Sequence, residues 1–327
     1  MPNPVLESVH PVVDAARHVR IHDDKLHEVA AWMAAEDLSW PEFFSPLHPK
    51  DERDCLDFIF LYNTINFAFT DFATREIFRV RYADREWSDT EAMVACLKRA
   101  LDGGLPVLEG GFLADLTLGD LEKIFAGNIR MPMLDERLAI FREVGRRLVS
   151  DFQGRFHHFL ADGPQRLYDP AGDRNGLLER LVDVFPSFFD SSSHQGRSVL
   201  FHKRAQLLWW MVSCLLRESN RVVIKDLDQL TAFADYIVPM ALNLHGILRY
   251  EPALTQAIAT GGLLGRDSEE EVEIRAATIW AVHRLTAEVN RLRPPDLQII
   301  EPVVDARLWT RFHCTHARHH LTVTTAY

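Results

Sequence analysis

The sequence is short of positive charge. Lys and Arg number 36 against 47 Asp and Glu, a formal net charge of −11 with His neutral. Proteins grip nucleic acid mainly by neutralising phosphates with Lys and Arg. This balance therefore excludes a general duplex-binding surface, and no run of basic residues restores one. Cysteine is scarce as well: Cys55, Cys96, Cys214 and Cys314 lie far apart with no C-x-x-C pair, three of them among apolar neighbours. That excludes a disulfide framework and points to a cytoplasmic setting. Long hydrophobic runs are missing too. The most apolar stretch, Ala205 to Leu216, is interrupted by Gln206 and Ser213, and Met1-Pro2-Asn3-Pro4 has no basic region leading into an apolar segment. Neither a membrane span nor a signal peptide is expected. The chain also lacks G-x-x-x-x-G-K, G-x-G-x-x-G and G-x-S-x-G, so phosphate-cradling loops and serine-hydrolase chemistry are not indicated.

What is there suits a packed core: 47% of the 327 residues are hydrophobic and 25% charged. Cores split beyond about 250–300 residues, so the length allows one domain or two intimate lobes, about 1–180 and 181–327. Apolar residues recur at three and four rather than two. Leu138, Phe141, Val144, Leu148 and Phe152 form one helical stripe over Asp135 to Phe152. Ser268 to Leu292 opens on a capping-box pattern, Ser268-Glu269-Glu270-Glu271, and closes at Pro294-Pro295. Arg204 to Leu216 is apolar nearly all round, as suits a helix inside the core. Strand signals are few: the alternation of Phe78, Val80 and Tyr82 with Arg79 and Arg81, and the Thr- and Val-rich end from Leu321 to Tyr327. Loops are expected at 102–104, 109–111, 161–176 and 261–265, where Gly, Pro and Asp cluster. The class is mainly α with a minor β element, without internal repeats.

The tail brings His313, Cys314, His316, His319 and His320 close together. His316 and His320 are spaced as helical zinc ligands, but no Glu sits beside His316 and no second ligand pair follows a loop. A partly exposed polar tail, with no metal and no cofactor, is the expectation. Two other segments are stranger than packing requires. Lys203 and Arg204 open the most apolar helix, where the helix dipole disfavours cations unless an anion compensates. Either a bound phosphate or an internal ion pair, with Asp190 or Asp226 as partner, would meet that need. Asp235 stands in the apolar run Leu230 to Pro239 beside two aromatics, either capping the helix that starts near Val238 or poised for catalysis. Asn66, inside Tyr62 to Phe69, reads as a buried amide satisfied by backbone.

Four stretches together resemble the queuosine salvage protein family, N-glycosidases that release the base queuine from queuosine 5′-phosphate. They are Thr64-Ile65-Asn66-Phe67-Ala68-Phe69, Phe185 through Lys203-Arg204-Ala205-Gln206, Leu230 through Tyr250, and Glu273 through Val282. The likeness runs from about His48 to the end of the sequence. It implies a compact helical fold similar to the helix-hairpin-helix DNA glycosylases, although the glycine-rich hairpin is missing, and a free nucleotide rather than a duplex as substrate. It also implies roles. Asp235 becomes the catalytic carboxylate. Lys203 and Arg204 become the 5′-phosphate site, Phe233 and Tyr236 stacking faces for the base. His48, which falls where the family keeps a His, joins Asp228 and Asp305 as candidates for the base edge or its cationic amine arm. Asn66 and His320 complete the expected substrate contacts. This chain departs from the family at His320-Leu321-Thr322-Val323-Thr324, where two family cations are absent, and at Thr70, which replaces an aromatic. A monomer is expected. The rival classes are a binding protein for a modified nucleotide or tRNA without chemistry, and a metal-dependent hydrolase built on the tail.

Overall fold

A computed structural model of the chain describes residues 3–40, 45–161, 165–219, 224–315 and 317–327. Among them are fourteen α-helices and four strand pairs of two strands each, so the fold is mainly α. None of these helices is long and apolar enough to cross a membrane.

The longest helix, Glu269–Leu292, begins where the Ser268 hydroxyl accepts a hydrogen bond from Glu271 N, and ends just before Pro294. Its stripe from Val272 through Ala276, Ile279 and Val282 to Val289 is buried, and Pro4–Ala15 and Asp23–Ala34 pack against it. Lys203–Ser219 packs on Glu52–Thr64, and Ile237–Leu244 on Glu301–Phe312. One continuous core joins all of them. Leu134–Asp151, the helix of the Leu138 stripe, crosses Gly110–Asp115 at Gly110 and Gly145. A Cβ on Gly145 would collide with the backbone of Ala114 and Gly110. The Gly-Gly pair at 110–111, expected as a loop, opens a helix instead; Gly110 sits where a Cβ would press on Leu148 and the Gly145 carbonyl, whereas Gly111 has open space around it.

Arg79–Tyr82 and Arg85–Ser88 form the expected hairpin, turning at Ala83 and Asp84 with φ of 51° and 59°, as a tight two-residue hairpin turn demands. A second hairpin, Ser191–His194 with Arg197–Leu200, carries no apolar alternation, because its first strand is nearly all Ser. The end of the sequence contributes only Leu321–Thr322, parallel to Leu263–Leu264. The tail is less exposed than expected: Cys314 is at the surface, but His320, Thr324 and Tyr327 are buried. His316 lies outside the described residues. Among those described, no three His, Cys, Asp or Glu side chains converge as metal ligands would.

Candidate active site

Four helices, three loops and the C-terminal Tyr327 surround a cavity of ≈ 360 Å³, a size suited to a nucleoside-like ligand. One of the loops is the segment with Ser45, Leu47 and His48. Lys203, Leu207, Trp210, Met211 and Cys214 form one face of Lys203–Ser219 and make its longest wall. This explains why that helix is apolar all round: one face meets the cavity and the others meet the core. Asp305 and Trp309 project from Glu301–Phe312, one turn apart. Asp89, Thr90 and Val94 come from the start of Asp89–Asp102, and Tyr62 from Glu52–Thr64. The other two loops add Asn66 and Phe69 on one side, and Phe233, Asp235 and Tyr236 on the other.

The Asp235 loop is pinned from every direction. Gln206 Oε1 accepts from Thr231 N at 2.8 Å, while its amide nitrogen donates to Phe201 O and Thr231 Oγ1 at 2.9 Å. Phe233 N donates to Asp305 Oδ2 at 2.8 Å. Arg275 donates to Ala234 O at 3.3 Å and grips Asp190 with two nitrogens at 3.0 and 2.6 Å. Asp235 Oδ1 accepts from Ile237 N and Val238 N at 2.8 and 2.9 Å, holding the start of Ile237–Leu244. The Asn66 loop is held by two buried guanidiniums. Arg204 donates to the carbonyls of Asn63, Thr64 and Ser187, and Arg137 to those of Ile65, Phe67 and Ala68. Arg204 thereby satisfies two carbonyls that the end of Glu52–Thr64 leaves open, and Phe67 lies against both cations.

Electrostatics separate the carboxyl groups. Burial pushes Asp235 above the usual carboxylate range, while Lys203 and the two backbone N–H groups work against that rise. Asp305 is pushed well above it, by burial and then by the charge of Asp235, with Phe233 N and Lys203 opposing. Burial draws Lys203 down, and Asp235 foremost supports its charge. Two neighbouring carboxyl groups with different proton affinities are the arrangement of an acid paired with a carboxylate.

Of the residues singled out in the sequence, His48, Asn66, Lys203, Phe233, Asp235, Tyr236 and Asp305 meet on this one cavity. His48 lies parallel to Tyr62, with ring centroids 6.1 Å apart. Three others lie elsewhere. Arg204 points the other way from its neighbour Lys203, into the carbonyl cluster just described. Asp228 is exposed on the 3₁₀ turn Leu227–Gln229. His320 is buried behind the cavity, 3.3 Å from the Tyr327 hydroxyl. The alternative of an ion pair opening Lys203–Ser219 takes another form: Asp190 accepts from Lys203 N at 3.1 Å but pairs with Arg275, and Asp226 accepts from Leu167 N and Tyr168 N. The sequence reading missed Asp89, Thr90, Trp210, Trp309 and Tyr327, all on the cavity wall.

A helical fold that gathers aromatic walls, one amine and several carboxyl groups, two of them with raised proton affinity, around a nucleoside-sized space holds the kinds of group that acid–base cleavage of a glycosyl bond uses. The comparisons with known proteins agree with that class. The chain belongs to the queuosine salvage protein family, whose model matches residues 47–327. It is similar to proteins named queuosine 5′-phosphate N-glycosylase/hydrolase. The one from Sphaerobacter thermophilus is 38% identical over 284 residues, covering 86% of this chain and 84% of that protein. The mouse protein is 28% identical, with 93% and 91% covered. The one from Schizosaccharomyces pombe is 29% identical, with 89% and 86% covered.

Proposed function

We propose that this chain is an N-glycosidase that hydrolyses queuosine 5′-phosphate to queuine and ribose 5-phosphate, acting on the free nucleotide as a cytoplasmic monomer. The observation that carries the reading is the shared burial of Asp235, Asp305 and Lys203 on one cavity, in a chain of this family. Asp235, ionised, lies beneath the ribose. One oxygen is spent on Ile237 N and Val238 N, and the other faces the sugar carbon where positive charge builds as the bond to the base breaks. Asp305 carries the proton. A 7-deazapurine lacks the ring nitrogen that ordinary purines offer, so the proton goes to another atom of the base edge as the bonding electrons leave with the base. Water then adds to the sugar carbon and loses a proton to the site.

Phe233 and Tyr236 supply apolar faces for the base. Lys203 does two things: its charge favours the ionised form of Asp235, and it is the only Lys or Arg among the described cavity residues to meet the 5′-phosphate. Arg204 and Gln206 serve by positioning, through the Asn66 loop and the Asp235 loop.

The test is chromatographic detection of queuine after incubating the purified protein with queuosine 5′-phosphate, with Asp235→Asn in parallel. Release by the wild type and its loss in the folded variant is the expected result. Release by both removes Asp235 from the chemistry. Release by neither, with a thermal shift on adding nucleotide, makes this a binding protein.

A further inference from the structure

We propose that Asp89 is a specificity-determining residue whose carboxylate receives the protonated amine of the queuine side arm. The inference rests on the glycosidase reading and adds to it the part of the substrate that distinguishes queuine from a plain deazaguanine.

Asp89 is fixed before any ligand arrives. It is the first residue of Asp89–Asp102, held at φ 57°, a left-handed conformation uncommon outside glycine though Asp adopts it more readily than most residues. Its N–H donates to Phe78 O at 2.9 Å. Its Oδ1 accepts from Thr90 N at 2.7 Å, and the Tyr236 hydroxyl reaches Oδ1 and Oδ2 at 3.1 and 3.3 Å. All these donors are neutral. No Lys, Arg or His among the described residues forms an ion pair with it. An acidic residue in a first turn favours the helix dipole wherever it points, but that role needs neither a position on the cavity wall nor a tyrosine clasping both oxygens.

A second side chain at the same corner is also left open. Asn66 is 3% exposed and lies on the cavity wall, where its Oδ1 accepts from Thr90 Oγ1 at 3.4 Å. Its amide nitrogen makes no hydrogen bond among the described residues. Buried amides are ordinarily satisfied, so this corner presents an unbalanced negative charge beside an idle donor. The queuine arm carries the complementary groups: an ammonium, then a cyclopentene diol whose oxygens accept.

Position agrees with this pairing. The arm leaves the deazapurine from a ring carbon separated from the glycosidic nitrogen by a single atom. Its ammonium must therefore find a partner close to the carboxylate beneath the ribose. Asp89 is clasped by Tyr236, the residue directly after Asp235. The pairing also has a kinetic reason: an uncompensated ammonium near the sugar would oppose the positive charge that develops there, and Asp89 removes that opposition.

The experiment compares wild type and Asp89→Asn on queuosine 5′-phosphate and on 7-deazaguanosine 5′-phosphate, which has no arm. Calorimetric binding of queuine and 7-deazaguanine runs beside it. The substitution should lower kcat/KM for the armed nucleotide by about 30- to 100-fold and leave the armless one within about threefold. Queuine affinity should fall and 7-deazaguanine affinity hold. Equal losses on both nucleotides, or no loss on either, overturn the proposal, the first by reducing Asp89 to a support for Tyr236. If the wild type cleaves neither nucleotide, the glycosidase reading fails, and the two free bases still judge Asp89 by themselves.

Discussion

Asp190 and Asp235 are buried to nearly the same extent, 6% and 7% exposed, yet their acidities move in opposite directions. Burial works against the charge of both. At Asp190 the bidentate Arg275 guanidinium, helped by Lys203 N and the field of His202, more than offsets it and holds the carboxyl below its usual range. At Asp235 the compensating groups are two backbone N–H donors and an amine that forms no ion pair with it among the described residues, and the carboxyl rises. Asp190 is finished as a structural element. Asp235 is left with capacity for something that is not part of the protein. Degree of burial does not separate the two carboxyl groups; completeness of the partner set does.

The largest effect expected from this contrast is on chemistry. Asp235→Asn keeps an oxygen for Ile237 N and Val238 N, so the fold should survive while queuine release falls by about 10³-fold or more, read by single-turnover assay. Asp190→Ala should reverse the pattern. It leaves Arg275 buried without its bidentate partner and should lower unfolding free energy by about 3 kcal/mol, measured by denaturant titration. Because the folded carboxyl is more acidic than in the unfolded chain, that contribution is present above the ordinary carboxylate pKa and is lost as pH falls through the folded one.

Asp305→Asn should lower turnover by about 10²-fold and change the shape of the pH profile. On the proposed roles, turnover in the wild type should rise as Asp235 loses its proton and fall as Asp305 loses its own. The coupled pair sets both limbs, each above the usual carboxylate range. The variant should lack the alkaline limb. It should also be more stable than wild type at neutral pH: a raised folded pKa costs stability as pH climbs from the unfolded value towards the folded one, and Asn has no proton to lose. Lys203→Met should have the smallest effect on substrate choice, narrowing the preference for nucleotide over nucleoside by about tenfold, as paired kcat/KM values would report.

Much of the helical framework was legible. The Leu138 stripe, the Ser268 start and the Pro294 stop each have a local cause, and Leu134–Asp151 and Glu269–Leu292 lie within a residue of where the pattern puts them. The cavity was legible only in part. Asp235 stands out because a carboxylate in an apolar run needs a reason. Asp89 does not, since acidic residues commonly begin helices and nothing local tells a helix-starting carboxylate from one that faces a ligand. Lys203 and Arg204 show the same limit. Consecutive helix positions point about 100° apart, so two adjacent cations can serve a cavity and a loop separately, and only the surrounding carbonyls tell which is which. Arg137 drew no notice beside its stripe, although it gathers three carbonyls of the Asn66 loop.

Trp210 and Trp309 stand on opposite helices of the cavity wall, and Trp40 packs on Trp210 with ring centroids 4.5 Å apart. The protein thus carries its own optical gauge. Of its seven tryptophans, Trp210 and Trp309 face the cavity, so a deazapurine entering it should quench part of the intrinsic emission while the remainder reports a constant background. Filling and emptying of the site can then be followed in real time, without a label, in the Asp235→Asn variant as well as in the wild type.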